Sequence, residues 1–268
     1  MSKLYISNLC SDIKNQKKFL NIVSKFQDIN GLDIAPLNVS RDWESSENNS
    51  KKFYNLIKKK NLKVNAIQGI FYKKNFSLLG DFVKNDNKVI SHFKKIIRLC
   101  KIFHCNKIVF GSSEFRNRKK HTIKYTDNIF KKFIKKIIPF LEKNNIVFCI
   151  ETIPKVYNSN YLYKFNQTCK VVKYFNNKFI KINFDSGIFF NTELSKKVFT
   201  NNLDLIDNIQ ISEPYFNFFL NPNKYNLNFI ELLKNQHYQG TVSLEIISGK
   251  FENQKINKSI SNFTKLFR

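Results

Sequence analysis

Eight strand-like runs, each followed by a helix-length stretch, predict an α/β protein folded as one (β/α)8 TIM barrel over residues 1–268. Three observations carry this expectation. Short apolar runs alternate with amphipathic segments from end to end. The alternation repeats the number of times that closes such a barrel. No Gly/Ser-rich linker or composition break divides the chain, whose 268 residues suit a single barrel.

The elements follow in order. Leu4–Ser7 reads as the first strand, with apolar and polar residues alternating, and residues 14–26 carry the first amphipathic helix pattern. A second strand at 29–34 precedes a loop and a helix at 49–60, and a third at 62–67 precedes a helix at 87–103. The fourth, Lys107-Ile-Val-Phe110, is followed by a basic loop and a helix at 126–143. The last four strands are Ile146–Glu151, Phe179–Asp185, Ile206–Ile211 and Thr241–Glu245. Helices are expected after them at 159–175, 193–203, 226–235 and 256–267.

Those four later strands each carry a possible metal donor at or next to their C-terminal end: Glu151, Asp185, Gln210 and Glu245. In a parallel barrel these ends converge on one rim, where barrels of this kind keep their chemistry. Three carboxylates and a carboxamide make an all-oxygen donor set, suited to a hard divalent ion such as Mn²⁺ or Mg²⁺, with Co²⁺ or Zn²⁺ as further options. The unusual loop residues follow strand ends as well, among them Ala35-Pro36 and Trp43, Gln68-Gly69, and the run from Gly111 to Arg118. Loops entering strands, such as Lys143-Asn-Asn145, are plain turns. The asymmetry places the working face at the strand C-termini.

Composition narrows the classes. Apolar residues make up 42% of the chain and 28 residues are Phe, enough for a large core. No apolar stretch is long enough for a membrane span, and the first residues lack a signal-peptide core. A soluble cytoplasmic protein with no membrane partner is expected. The five cysteines are irregularly spaced without a CxxC pair, so they read as buried free thiols. A net charge of +26 raises nucleic acid as a partner, but the lysines are spread over every helical segment. They read as solvated faces, and no nucleic-acid partner is expected.

The motifs together resemble the sugar phosphate isomerase/epimerase family, the xylose isomerase-like TIM barrels that include ketose 3-epimerases. The resemblance rests on Gly31-Leu-Asp-Ile-Ala-Pro36, Val64-Asn-Ala-Ile-Gln68, Val109-Phe-Gly-Ser112 with Arg116, and Ile150-Glu-Thr-Ile-Pro154 with Tyr157. It continues through Asn183-Phe-Asp-Ser-Gly187, Ile209-Gln-Ile-Ser-Glu-Pro214 and Val242-Ser-Leu-Glu245. It implies one divalent ion bound by Glu151, Asp185, Gln210 and Glu245. Gln210 departs from the pattern by standing where the family has histidine, and Ile188 stands where some 3-epimerases carry a substrate-binding histidine.

The implied activity is epimerisation or isomerisation of a sugar or sugar phosphate through an enediolate, with Glu151 and Glu245 as the acid/base pair on well-separated strands. Arg116 is expected to bind a phosphate or hydroxyl. Gln68, Tyr157 and Trp43 are expected to line the pocket, and Glu213 to contact substrate. Relatives that form dimers or tetramers leave a homo-oligomer open. Two alternatives share the scaffold: a sugar-acid dehydratase or lyase, and a degenerate carbohydrate-binding barrel without turnover. Three of the four histidines lie in helices or helix-flanking loops and His121 lies in the loop after the fourth strand; none stands at a strand end, which argues against the His-rich trinuclear zinc centre of the superfamily's DNA endonucleases.

Overall fold

The computed structural model describes residues 2–191, 194–247, 249 and 251–268. Its strands are β1 (Lys3–Ser7), β2 (Ile29–Ile34), β3 (Lys63–Ile67), β4 (Lys107–Phe110), β5 (Val147–Glu151), β6 (Ile180–Asp185), β7 (Ile206–Ser212) and β8 (Thr241–Glu245). They close into a barrel in chain order, β8 pairing back onto β1, and every neighbouring pair is parallel. The predicted architecture is therefore the observed one.

The long outer helices are α1 (Gln16–Val23), α2 (Ser46–Lys58), α3 (Asp86–Phe103), α4 (Ile123–Asn144) and α5 (Phe165–Phe175). After β6 come two short helices, α6 (Ile188–Asn191) and α7 (Lys196–Thr200), followed by α8 (Lys224–Asn235) and α9 (Asn253–Phe267). The expected helix at 159–175 starts only at Phe165, because Asn158 and Leu162 take positive φ and hold the preceding segment as a loop. The expected helix at 193–203 is represented by α7, with residue 193 outside the described residues.

Phenylalanine builds the layer between barrel and helices. Phe93, Phe110, Phe130, Phe133 and Phe148 are fully buried there. Their rings meet at edge-to-face, tilted and stacked angles, as between Phe110 and Phe148 at 5.2 Å. Each such side chain contributes about 1.5–3 kcal/mol through burial. All the cysteines are free; Cys105 is only half-buried and the other four are buried. Among the described residues no helix is long and apolar enough to cross a membrane.

The inside of the barrel is polar. Strand alternation explains it: along β7, Ile209 and Ile211 point to the helices while Asn208, Gln210 and Ser212 point inward. Asn183 and Asp185 on β6 and Thr241, Ser243 and Glu245 on β8 follow the same period. Buried carboxamides of this kind persist only when hydrogen-bonded. Here they bond to one another along the barrel axis.

Candidate functional site

One cavity of about 520 Å³ opens at the C-terminal ends of the strands. Glu151, Asp185, Gln210 and Glu245 all line it, together with Gln68 and Tyr157. The strand-end side chains therefore converge. Aromatic and aliphatic groups from the loops, Phe71, Tyr72, Ile153, Phe216 and Ile247, complete the wall. The Tyr157 and Phe216 rings lie 5.4 Å apart between centroids. Such a mixture of carboxylates below and ring faces above suits a small polyhydroxylated ligand.

The carboxylates are strongly perturbed. Burial pushes Glu151 up to about 8, the charge of Asp185 adding to the effect and the Arg116 guanidinium opposing it. Burial likewise raises Asp185 to about 6, with hydrogen bonds from Ser212 and Gly187 pulling the other way. Glu245 is raised by burial and by the charges of Asp185 and Glu151, against a hydrogen bond from Gln68. Desolvation and mutual repulsion outweigh the one buried counter-charge nearby, Arg116 behind Glu151. Lys73 is the basic side chain among the described lining residues, and it is exposed.

Asp185 and Glu245 are each held through one oxygen, and Asn183 hydrogen-bonds Glu151. Asp185 Oδ1 accepts from Ser212 Oγ at 2.7 Å and from the Gly187 backbone N–H at 2.6 Å, while its Oδ2 is buried without a hydrogen-bond partner. Glu245 Oε1 accepts from Gln68 Nε2 at 2.8 Å and from Gln210 Nε2 at 3.5 Å. Gly111 faces Glu151 so closely that a Cβ there would strike its carboxylate. Gln210 donates from its amino group to Gln68 Oε1 at 3.0 Å, and its own oxygen accepts from Asn183 Nδ2 at 2.5 Å.

Three expected substrate contacts lie elsewhere. Trp43 is buried behind the loops, its indole donating to the Tyr72 carbonyl at 2.8 Å and packing edge-on against His92. Arg116 is fully buried behind Glu151 and donates from Nη1 to the Glu151 carbonyl at 2.7 Å, so it braces the strand end and does not line the cavity. Glu213 accepts from the Asn223 backbone at 3.1 Å and from Asn226 at 3.0 Å, tying the β7 loop to the start of α8. Its carboxylate is thereby committed to the scaffold. Sequence reasoning missed Gly111, Phe216, Ile247 and Asn183. Gly111 offered a signal, as a glycine directly after a strand facing a predicted catalytic strand end.

The donor chemistry fits a hard divalent cation. Glu151, Asp185 and Glu245 present buried oxygens to one space, and the bare Asp185 Oδ2 lacks the partner that a buried carboxylate oxygen needs. Among the described residues, no three His, Cys, Asp or Glu side chains are gathered into a closed metal cluster. A bound cation would offset the mutual repulsion of these carboxylates.

Residues 28–266 match the family model described as a xylose isomerase-like TIM barrel. A search of curated protein sequences finds no significant match. Among solved structures, the chain is similar to the apo form of 3-keto-D-glucoside 4-epimerase YcjR from E. coli, with 14% identity over 99% of this chain and 100% of that one and a TM-score of 0.77. It is also similar to D-psicose 3-epimerase from Clostridium cellulolyticum H10 with D-tagatose, at 11% identity, 99% coverage of both chains and a TM-score of 0.76. The IolI protein with a bound zinc atom matches at 14% identity over 99% of this chain and 96% of that one, with a TM-score of 0.72.

Proposed function

Because the chain belongs to the xylose isomerase-like TIM barrel family, we propose that it is a divalent-metal-dependent epimerase or isomerase of a sugar or sugar phosphate. The observation that carries this reading is the convergence of three buried carboxylates with raised pKa values on one cavity at the strand C-termini. The structural relatives include epimerases acting on D-psicose and on a 3-keto-D-glucoside.

Glu151, Asp185 and Glu245 would hold the ion, and their all-oxygen character favours Mn²⁺ or Mg²⁺. The bound ion would supply Lewis-acid stabilisation of negative charge developing on the substrate oxygens. The protein's own groups do the rest. Glu151 on β5 and Glu245 on β8 are not neighbours in the ring, so they approach a bound sugar from different sides. One removes the proton from the carbon beside the carbonyl, and the other returns a proton from across the cavity. In the metal-free protein burial raises both carboxyl pKa values, and a bound cation would bring them back toward the ionised form that proton abstraction needs.

Orientation comes from the groups around them. Ser212 and the Gly187 N–H fix Asp185 through Oδ1 and leave the buried Oδ2 without a hydrogen-bond partner. Gln68 and Gln210 both contact Oε1 of Glu245, so its second oxygen stays available for proton transfer. Tyr157 and Phe216 offer ring faces to the C–H side of a sugar.

Solvent-deuterium uptake tests the reading. Candidate ketoses incubated with the protein and Mn²⁺ in D₂O should acquire deuterium beside the carbonyl. Glu151→Gln and Glu245→Gln should each lower that exchange by about 10²–10⁴-fold. Loss of water from a sugar acid, without exchange into ketoses, would point to a dehydratase on the same scaffold. Sugar binding with neither metal dependence nor exchange would leave a binding barrel and overturn the proposal.

A further inference from the structure

The polar interior holds a hydrogen-bond chain whose direction is set by the ammonium group at its start. It starts at Lys107 on the N-terminal rim, where Nζ pairs with Asp207 Oδ2 at 3.0 Å and donates to the Asp207 carbonyl at 2.9 Å and Thr241 Oγ1 at 2.8 Å. Thr241 Oγ1 passes a hydrogen bond to Asn208 Oδ1 at 2.8 Å. Asn208 Nδ2 donates to Asn183 Oδ1 at 2.8 Å, and Asn183 Nδ2 to Gln210 Oε1 at 2.5 Å. Gln210 Nε2 donates to Gln68 Oε1 at 3.0 Å, and Gln68 Nε2 to Glu245 Oε1 at 2.8 Å.

An ammonium group can only donate, so the Lys107 end by itself fixes the sense of a chain that runs into Glu245 Oε1 as acceptor. Every hydroxyl and carboxamide between them must therefore hand its hydrogen bond in one sense, from Lys107 toward Glu245. A side branch reinforces the sense: Asn65 Nδ2 donates to Asn208 Oδ1 at 3.0 Å and to Asp33 Oδ1 at 2.7 Å, filling the second acceptor position of Asn208. Turning Gln210 alone would set its oxygen against Gln68 Oε1 and Glu245 Oε1, and its amino group against that of Asn183. Chains of this kind also polarise one another, so each link strengthens the next.

We propose that this chain holds Gln210 as a hydrogen-bond donor toward Glu245, keeps its amide oxygen out of the coordination shell, and makes Gln210 and Gln68 positioning residues for Glu245. The position that the resemblance assigned to a metal ligand thus serves the neighbouring carboxylate, and the cation is left to Glu151, Asp185 and Glu245. Glu245's part in catalysis rests on the function proposed above; the chain that reaches it rests on geometry alone. Thr241 lies outside the cavity lining, so a change there probes the chain without touching the site.

The test has a metal-free arm and a metal arm, using wild type, Thr241→Val, which cuts the chain, and Thr241→Ser, which restores the hydroxyl. In ¹⁵N-labelled metal-free protein, the side-chain amide protons of Gln210 and Gln68 should exchange slowly with solvent. Thr241→Val should shift their resonances and speed exchange at least tenfold, and Thr241→Ser should return both toward wild type. Should Thr241→Val fail to fold, Lys107→Met at the rim supplies the same readout. With Mn²⁺, Thr241→Val should weaken binding three- to tenfold, and a Mn²⁺-soaked crystal should show Gln210 Oε1 outside bonding distance of the ion. Unchanged amide resonances in the cut variant, unchanged Mn²⁺ affinity, or Gln210 Oε1 bonded to Mn²⁺ would each overturn the proposal. Wild type that binds no Mn²⁺ but shows the amide response would instead sink the metal-dependent function and leave the chain standing.

Discussion

Asp185→Asn tests the cost of keeping a buried charge at the barrel mouth. The substitution preserves shape, and the retained Oδ1 can still accept from Ser212 and Gly187. In the metal-free protein, burial raises Asp185 from 3.8 to about 6. A carboxyl whose pKa is higher in the folded than in the unfolded state binds more protons when folded. Its contribution is therefore fully present below the unfolded value near 3.8 and is lost as pH rises through about 6. At about 1.4 kcal/mol per pH unit, the ionised group costs about 3 kcal/mol at pH 8, roughly half of it already present at pH 5. The new amino group opposes part of that gain, because a buried amide without a partner costs about 1–3 kcal/mol. That opposing cost does not depend on pH. In EDTA, the stability of the variant relative to wild type should therefore rise by about 1–2 kcal/mol between pH 5 and pH 8. Wild type should gain about 3 kcal/mol from Mn²⁺ at a hundredfold excess over its dissociation constant, and the variant much less. Urea unfolding at several pH values, with EDTA and with Mn²⁺, measures both. A variant whose stability relative to wild type is flat or falls from pH 5 to pH 8, or one that keeps the full Mn²⁺ response, would refute the reasoning.

Other substitutions test separate parts of the structure. Gly111→Ala pushes a methyl group into the Glu151 carboxylate, a flexible side chain that can yield, so stability should change little while turnover falls about 100-fold; steady-state kinetics beside a thermal melt separates the two. Gly31→Ala drives a Cβ into the Lys63 backbone on β3, which cannot yield, and should lower the urea midpoint by an amount equal to about 3 kcal/mol. Burial holds His92 neutral down to about 4, against a hydrogen bond to the Ile70 carbonyl that favours the charged form. The unfolded chain binds that proton near 6.5 and the folded one does not, so stability should drop by about 3 kcal/mol as pH falls from 6.5 to 4. The His92→Gln variant should lose that part of the acid sensitivity in pH-dependent unfolding.

The barrel and its working rim were legible from local pattern. An apolar run such as Ile206 to Ile211 between helix-length segments reads as a strand, and in the structure its period of two turns Asn208 and Gln210 inward. The same rule brought Glu151, Asp185 and Glu245 to one mouth, because parallel strands share their C-terminal side. Loop residues obey no such period. Trp43, Arg116 and Glu213 all sit in loops after strands, as pocket residues do, yet the chain turns each into the scaffold.

Sequence alone thus determined the strand count, the rim on which the strand-end side chains gather and the chemical character of that rim, since these follow from element alternation and residue type. Tertiary structure alone decided what each polar group does there. Lys107 meets Thr241, and Gln68 meets Glu245, across more than a hundred residues of chain. A carboxamide has no preferred end of its own; which end faces the cavity depends on the donor or acceptor that folding places beside it.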